Sequence, residues 1–347
     1  MFTKLLQKKY SEVRLISKQR KKKIAFLIGN TAKLEKGNYY FTPPRITEKL
    51  VIFGVIVFNE SIVIEACKYL DKKVDYIFVD VEKKIFPKKN GAPGNIERRV
   101  RENIKNSKIY VYKGNDLTVD AVNLLITQIY NKDLRGVAGK KIGILGAGNI
   151  GSKIGLNLIE SGAKVYLFRR NKTKLNSIVK AINYLKPPNT REKIFAKNKF
   201  NTVKNADVII GCTNGVEIID EKTIGLINEK TILIDAGKGT ITKNAIKIAN
   251  EKKIRIFRID IFPSLEGLIS KTFSIEKQVK KILKTKKIDG VSIINTGKLG
   301  RYGEIIVDDI DNINLVYGVC NGDGDFLRKI PNKFKKIINK IKRKSYV

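Results

Sequence analysis

Three glycines, at positions 146, 148 and 151, sit where an apolar run ends and a helical pattern begins. The stretch reads Lys141-Ile142-Gly143-Ile144-Leu145-Gly146-Ala147-Gly148-Asn149-Ile150-Gly151, and Ile150, Ile154 and Leu158 then recur on one helical face. Gly162 offers a helix stop, and a second apolar run follows over 164–168. Strand, tight turn, helix and strand in that order make a βαβ unit suited to a dinucleotide. Gly146 permits the tight turn, Gly148 lets the backbone approach a pyrophosphate, and Gly151 lets the helix close on the strand. Asn149 and Ile150 open the helix, whose first N–H groups and partial positive charge attract phosphate.

The end of the second strand chooses between dinucleotides. It reads Phe168-Arg169-Arg170-Asn171-Lys172, with no carboxylate to bind a ribose 2′-hydroxyl. Arg169 and Arg170 stand where a 2′-phosphate would sit, which predicts NADP(H). Further along, Gly211-Cys212-Thr213-Asn214-Gly215 follows another apolar run and is expected to line the nicotinamide side. Cys212 reads as a small lining residue, not a nucleophile. The next run ends in Asp235-Ala236-Gly237-Lys238-Gly239-Thr240, which places Asp235 and Gly237 beside the cofactor. The chain has no histidine, which removes Ser-His and Cys-His catalysis and the usual zinc ligand sets. Proton transfer falls to Lys, Asp, Glu, Tyr or Cys.

Around this centre the hydrophobic periodicity predicts an α/β architecture throughout. The first 20 residues form a basic amphipathic helix with Phe2, Leu5, Leu6, Val13 and Ile16 as apolar contacts. Strand-like runs follow at 23–28, 50–58, 75–81 and 108–112, with helical patterns at 61–70, 96–104 and 117–130 between them. Asn131-Lys132-Asp133-Leu134-Arg135-Gly136 is a polar hinge. Six strands come next, at 141–145, 164–168, 194–195, 206–211, 231–235 and 254–259, enough for a full doubly wound parallel sheet. The expected organisation is an N-terminal α/β substrate domain (1–135), a central Rossmann NADP-binding domain (136–270) and a C-terminal segment (271–347) returning toward the first domain. In that last part 275–283 reads as helix and 290–294 and 304–307 as short strands. The tail from 331 is a basic helix whose stripe Phe334, Ile337, Ile338 and Ile341 is expected to pack on the body, in preference to a membrane surface or RNA.

The formal net charge of +37 raises the question of a polyanion partner. The basic residues are spread along the whole chain among many Ile and Asn, the pattern of a bias toward AT-rich codons, so nucleic acid is not the expected partner. No apolar run approaches the ~20 residues of a membrane helix. The N-terminus has no continuous apolar core of a signal peptide. Three cysteines, Cys67, Cys212 and Cys320, make no disulfide framework, and a reducing cytoplasm is expected.

The segment from about Lys113 to Asp260 resembles the two-domain amino-acid-dehydrogenase-like oxidoreductases. That group includes shikimate/quinate and methylenetetrahydrofolate dehydrogenases and the nucleotide domain of glutamyl-tRNA reductases. The resemblance rests on Leu117-Thr118-Val119-Asp120-Ala121-Val122, the 146–151 glycine motif, Ala206-Asp207-Val208-Ile209-Ile210-Gly211 and Ile232-Leu233-Ile234-Asp235-Ala236-Gly237. Phe168-Arg169-Arg170-Asn171 is similar to the shikimate family's Asn-Arg-Thr motif through Arg170. The shikimate Asn-x-Thr-x-Pro-x-Lys signature is missing, and so is the reductases' histidine. The resemblance implies a lysine after an N-domain strand and an aspartate before the crossing helix as proton-transfer pair. Lys84, in Asp80-Val81-Glu82-Lys83-Lys84, and Asp116, in Gly114-Asn115-Asp116-Leu117-Thr118, match that order. Lys84 is preferred to Lys83 because alternate strand residues face opposite ways. The alternative role for Asp116 is a cap on a helix starting near Leu117.

Three functional readings follow. The first is an NADP(H)-dependent oxidoreductase moving a hydride to or from a small polar, in part anionic, substrate, with a homodimer as a compatible assembly. The second is a non-catalytic NADP(H)-binding or sensing protein on the same fold. The third is a basic polyanion-binding protein.

Overall fold

The computed structural model describes residues 2–30, 39–82 and 94–345. The chain divides into two compact units, Met1–Glu266 and Gly267–Val347. The first unit contains two sheets, one of them parallel throughout and the other parallel but for an edge strand.

The chain starts with α1 (Phe2–Arg20), β1 (Lys23–Asn30), β2 (Tyr39–Ile46), β3 (Leu50–Val57), α2 (Ser61–Leu70), β4 (Tyr76–Asp80), α3 (Ile96–Asn103), β5 (Lys108–Tyr112) and α4 (Gly114–Ile129). The strands lie in the order β2-β3-β1-β4-β5, all parallel except the edge strand β2. β1 and β3 are apolar almost without interruption because a central parallel strand is covered on both faces. One face buries Phe26, Ile28, Phe53, Val55, Ile77 and Val79 against Phe2, Leu6 and Val13 of α1, Val63 and Leu70 of α2 and Val100 of α3. The N-terminal helix therefore buries Phe2, Leu6 and Val13 of the stripe read from its sequence and half-buries Ile16, whereas Leu5 is exposed. β2 was not legible as a strand. It holds Pro43 and Pro44, and its register against β3 shifts between Thr42 and Arg45, where missing amide donors do least harm on an edge.

The second sheet comprises β6 (Lys141–Leu145), β7 (Lys164–Phe168), β8 (Ile194–Ala196), β9 (Val208–Gly211), β10 (Ile232–Asp235) and β11 (Arg255–Arg258). Helices α5 (Asn149–Glu160), α6 (Lys172–Leu185), α7 (Lys199–Val203), α8 (Glu221–Ile224) and α9 (Lys243–Glu251) connect the strands. The order is β11-β10-β9-β6-β7-β8, all parallel, as a doubly wound Rossmann sheet requires. The crossing helix α4 packs Val119, Val122 and Ile126 into the core of this second sheet, together with Ile142, Ile144 and Ile154. A second link joins the two sheets: Arg45 pairs with Asp260 at 3.1 Å and stacks over Phe262, while the Glu48 amide donates to Glu266 at 3.1 Å.

Past β11, α10 (Phe262–Ile282) leads into the second unit. There β12 (Thr285–Ile288), β13 (Val291–Asn295), β14 (Ile305–Val307) and β15 (Val316–Val319) form a four-stranded mixed sheet, followed by α11 (Asn332–Ser345). Phe334, Ile337 and Ile341 of α11 are buried with Ile293, Ile305, Val307 and Val319. The basic tail thus buries its apolar stripe in its own unit, as expected. Lys281 pairs with Asp309, and Lys284 and Lys340 pair at 2.8 Å with Asp311 and Asp289. No helix among the described residues is long and apolar enough to cross a membrane.

Asp71, at the end of α2, organises the turn before β5. Its carboxylate accepts the backbone N–H groups of Lys105, Asn106 and Ser107 at 2.9–3.2 Å and the Asn106 side-chain amide at 2.7 Å. Burial pushes its pKa up, but these hydrogen bonds outweigh burial and hold it at about 2, against the ordinary 3.8. A depressed folded-state pKa gives stability that is present above the unfolded value and lost as pH falls through the folded one. Unfolding free energy measured by urea titration is therefore expected to drop between about pH 4 and pH 2. Asp71→Asn, which turns an amide toward N–H donors, should lower stability at neutral pH by about 1–3 kcal/mol and flatten that drop. An unchanged acid limb in the variant would mean that Asp71 does not anchor the turn.

Candidate functional site

A cleft of about 1390 Å³ opens between the carboxyl ends of the two sheets of the first unit. One wall is built by the second sheet. Gly146 takes φ = +118°, and a Cβ there would lie 2.7 Å from the Cys212 carbonyl carbon. Its amide and that of Ala147 both donate to the Phe168 carbonyl, at 3.0 and 3.2 Å, which binds the glycine loop to the end of β7. A Cβ on Gly151 would come within 2.2 Å of the Gly146 carbonyl oxygen, so α5 can start this close to β6 only with glycine. A Cβ on Gly148 would meet nothing within 4 Å and would point into open space. Helix α5 carries no side-chain cap, which leaves its first N–H groups and its dipole directed at that space. A phosphate fits this cradle chemically.

Of the residues expected at the cofactor, Gly146, Gly148, Asn149, Ile150, Arg169, Arg170, Cys212, Thr213, Asn214 and Gly237 line the cleft. Gly151 sits behind the loop. Arg169 Nη1 donates to the Ala147 carbonyl at 2.6 Å, so its guanidinium lies across the loop. Asn171 caps α6 by accepting the Lys174 amide at 2.8 Å. Burial, with Asp235 adding to it, pushes the Cys212 thiol up to about 12. Such a shift favours the thiol over the thiolate at neutral pH.

Asp235 departs from expectation. It is not among the described residues that line the cleft. Its carboxylate accepts the Gly239 amide at 2.8 Å, the Thr240 amide and hydroxyl at 3.2 and 2.8 Å, and Arg258 Nε at 3.1 Å. Burial raises its pKa, but these bonds more than offset that and hold it below the usual carboxylate range. Asp235 therefore positions the loop that follows β10. That loop presents Lys238, a cleft residue held at φ = +55°, a left-handed conformation uncommon for residues other than glycine.

The opposite wall comes from the carboxyl ends of β1, β4 and β5, with Asn30, Asp80, Tyr112, Asn115 and Thr118, and from Tyr40 to Pro43 on β2. Asp80 Oδ1 accepts the amides of Glu82 and Gly114 at 3.0 and 3.3 Å, and Glu82 Oε2 accepts the Asn115 amide at 2.8 Å. Burial, with Asp80, Tyr40 and Glu82 nearby, raises the Tyr112 pKa well above its ordinary value, so its hydroxyl keeps its proton. Asp116, expected beside the reacting centre, pairs with Lys153 of α5 and is not among the described lining residues. It does not cap its helix either, because α4 begins at Gly114, two residues before it. Lys84 lies outside the described residues. Lys238, Tyr112 and Asn30 were not singled out from sequence. A lysine flanked by two glycines at a strand end was the available signal for the first.

Residues 127–268 match the family described as D-isomer specific 2-hydroxyacid dehydrogenase, NAD binding domain. A search of curated proteins finds no match. Among solved structures, a dipicolinate synthase chain from Bacillus halodurans is similar at 14% identity and TM-score 0.38, over 74% of this chain and 97% of its own. L-tryptophan dehydrogenase from Nostoc punctiforme is similar at 10% identity and TM-score 0.40, over 68% and 69%. D-lactate dehydrogenase from Escherichia coli is similar at 14% identity and TM-score 0.34, over 58% and 64%. Likenesses this remote carry no functional weight. The matched family is not among those the motifs resemble, because the glycine turn and apolar strands behind that resemblance recur across nicotinamide-dependent Rossmann domains. The second sheet is a nicotinamide-dinucleotide-binding domain of the oxidoreductase class.

Proposed function

We propose that this oxidoreductase uses NADP(H) and acts on a small 2-hydroxy or 2-oxo acid bound in the cleft. The cofactor choice rests on Arg169 and Arg170, which line the cleft at the end of β7, where the sequence offers no carboxylate to prefer a 2′-hydroxyl. The matched family's description supports the substrate class. So does Lys238, a cation that can face a substrate carboxylate or carbonyl oxygen. When bound, the nicotinamide supplies or takes up the hydride. The chain's own groups bind and orient. The α5 N-terminus and glycine loop hold phosphate, Arg169 and Arg170 hold the 2′-phosphate, and Lys238 steadies negative charge on the substrate oxygen. Tyr112 keeps a protonated hydroxyl on the facing wall. Three cysteines, all free, support a reducing cytoplasm as the working compartment.

Calorimetric titration tests the cofactor reading. The wild type is expected to bind NADPH more tightly than NADH by at least tenfold, about 1.4 kcal/mol. The Arg169→Ala/Arg170→Ala variant should lose that preference by losing NADPH affinity, while its NADH affinity stays nearly level. Equal wild-type affinities for the two cofactors would refute the assignment.

A further inference from the structure

In the sheet order β2-β3-β1-β4-β5, the chain runs from β1 through β2 and β3 on one side and then crosses to β4 and β5 on the other. The switch point lies between β1 and β4, and open parallel sheets bind ligands outside the strand ends at such a point. Asn30 ends β1 there and lines the cleft with only 7% of its surface exposed. Its Nδ2 donates to the Glu82 carbonyl at 2.7 Å. A carbonyl only accepts, so the amide cannot be turned over, and Oδ1 is fixed as the second group. Oδ1 is buried and has no hydrogen-bond partner among the described residues. Native proteins rarely leave such an acceptor unmatched without a ligand or water to serve it. Donors nearby among the described residues are committed elsewhere. The Glu82 and Gly114 amides serve Asp80, the Asn115 amide serves Glu82, and the Tyr112 hydroxyl points toward the Ile28 carbonyl at 3.5 Å.

We propose that Asn30 is a specificity-determining residue, whose Oδ1 accepts a hydrogen bond from a hydroxyl or amino group on the substrate. This rests on the small-acid reading above and extends it. The substrate has an oxygen end facing Lys238 and, beyond the reacting carbon, a donor facing the β1–β4 switch point. Sites built to bind a donor discriminate strongly against analogues lacking it, because the acceptor is then left unpaired.

Lactate, glycerate and isoserine differ only at the third carbon, which carries hydrogen, hydroxyl or ammonium. Calorimetric titration of each into the protein saturated with NADP⁺ is expected to show glycerate or isoserine binding at least about tenfold more tightly than lactate. Asn30→Leu should remove that difference. Asn30→Asp keeps the acceptor and, with its carboxyl protonated, also the donor to the Glu82 carbonyl, and should then preserve it. A gain for isoserine alone in this variant identifies an amine as the donor, and unchanged glycerate preference identifies a hydroxyl. Equal binding of all three acids, absence of binding by any of them, or an undiminished difference in Asn30→Leu would overturn the subsite and leave a bound water as the partner of Oδ1. The cofactor reading is checked separately by the preceding NADP⁺ titration. Its failure there would remove the basis of the subsite too.

Discussion

Gly146→Ala is expected to lower NADPH affinity by at least ~10²-fold, about 2.7 kcal/mol. The added Cβ would meet backbone, not the far end of a side chain: the Cys212 carbonyl carbon at 2.7 Å, the Thr213 nitrogen at 2.8 Å and the Cys212 oxygen at 2.9 Å. Those atoms belong to the loop after β9, whose Cys212 amide is itself tied to the Leu145 carbonyl at 2.8 Å. Neither loop can yield without parting β6 from β9. The φ of +118° adds strain that no L-side chain relieves. The glycine loop would have to lift, moving the first turn of α5 away from the phosphates. Gly148→Ala is the informative partner. Its Cβ meets nothing and its backbone is ordinary, so thermal unfolding should match the wild type. Its methyl nevertheless occupies the space the pyrophosphate would fill, and NADPH affinity should fall by about tenfold or more. Wild-type affinity in Gly148→Ala would show that no dinucleotide approaches the loop.

The parts of this site legible in sequence are those where one residue type answers one local demand. The glycine loop, the arginine pair and the β9 loop belong to short segments bounded by apolar strands, so their position on the sheet followed from order alone. The facing wall is different. Asn30 and Tyr112 stand on it, far apart in the chain, and share the cleft with Lys238 of the second sheet only because the two sheets oppose their carboxyl ends. No local pattern encodes that meeting. Asp235 is a related case: its four hydrogen-bond donors come from the loop after β10 and from Arg258, and no local pattern announces them. β12 escaped notice because Thr285-Lys286-Lys287-Ile288 has no apolar alternation. The Asp289-Gly290 pair after it, both residues left-handed, is nonetheless a tight hairpin signal.

Lys238→Gln should lower kcat/KM for 2-oxo acid reduction by at least ~10²-fold, with NADPH affinity unchanged. Three features place this effect at Lys238 and not at one of the chain's many other cations. It lines the cleft at the end of β10, beside Ala236 and Gly237. Its backbone is held left-handed, at a cost of about 1–3 kcal/mol for a residue other than glycine, and of the lysines that share this conformation (Lys21, Lys72 and Lys253) none lines the cleft. Asp235 fixes the following residues, Gly239 and Thr240, and so sustains that conformation. On the proposed reading, the charge that Lys238 would present to a substrate oxygen offsets the strain of that conformation. Variants can separate the two contributions. Lys238→Arg keeps the charge and should retain more activity than Lys238→Gln. Lys238→Gly removes the charge and the strain together, so it should unfold at the same temperature as the wild type or higher while turnover collapses. A Lys238→Gly protein that is more stable and equally active would leave the strained lysine without a role in the reaction, and the cation facing the substrate would then have to come from another part of the cleft.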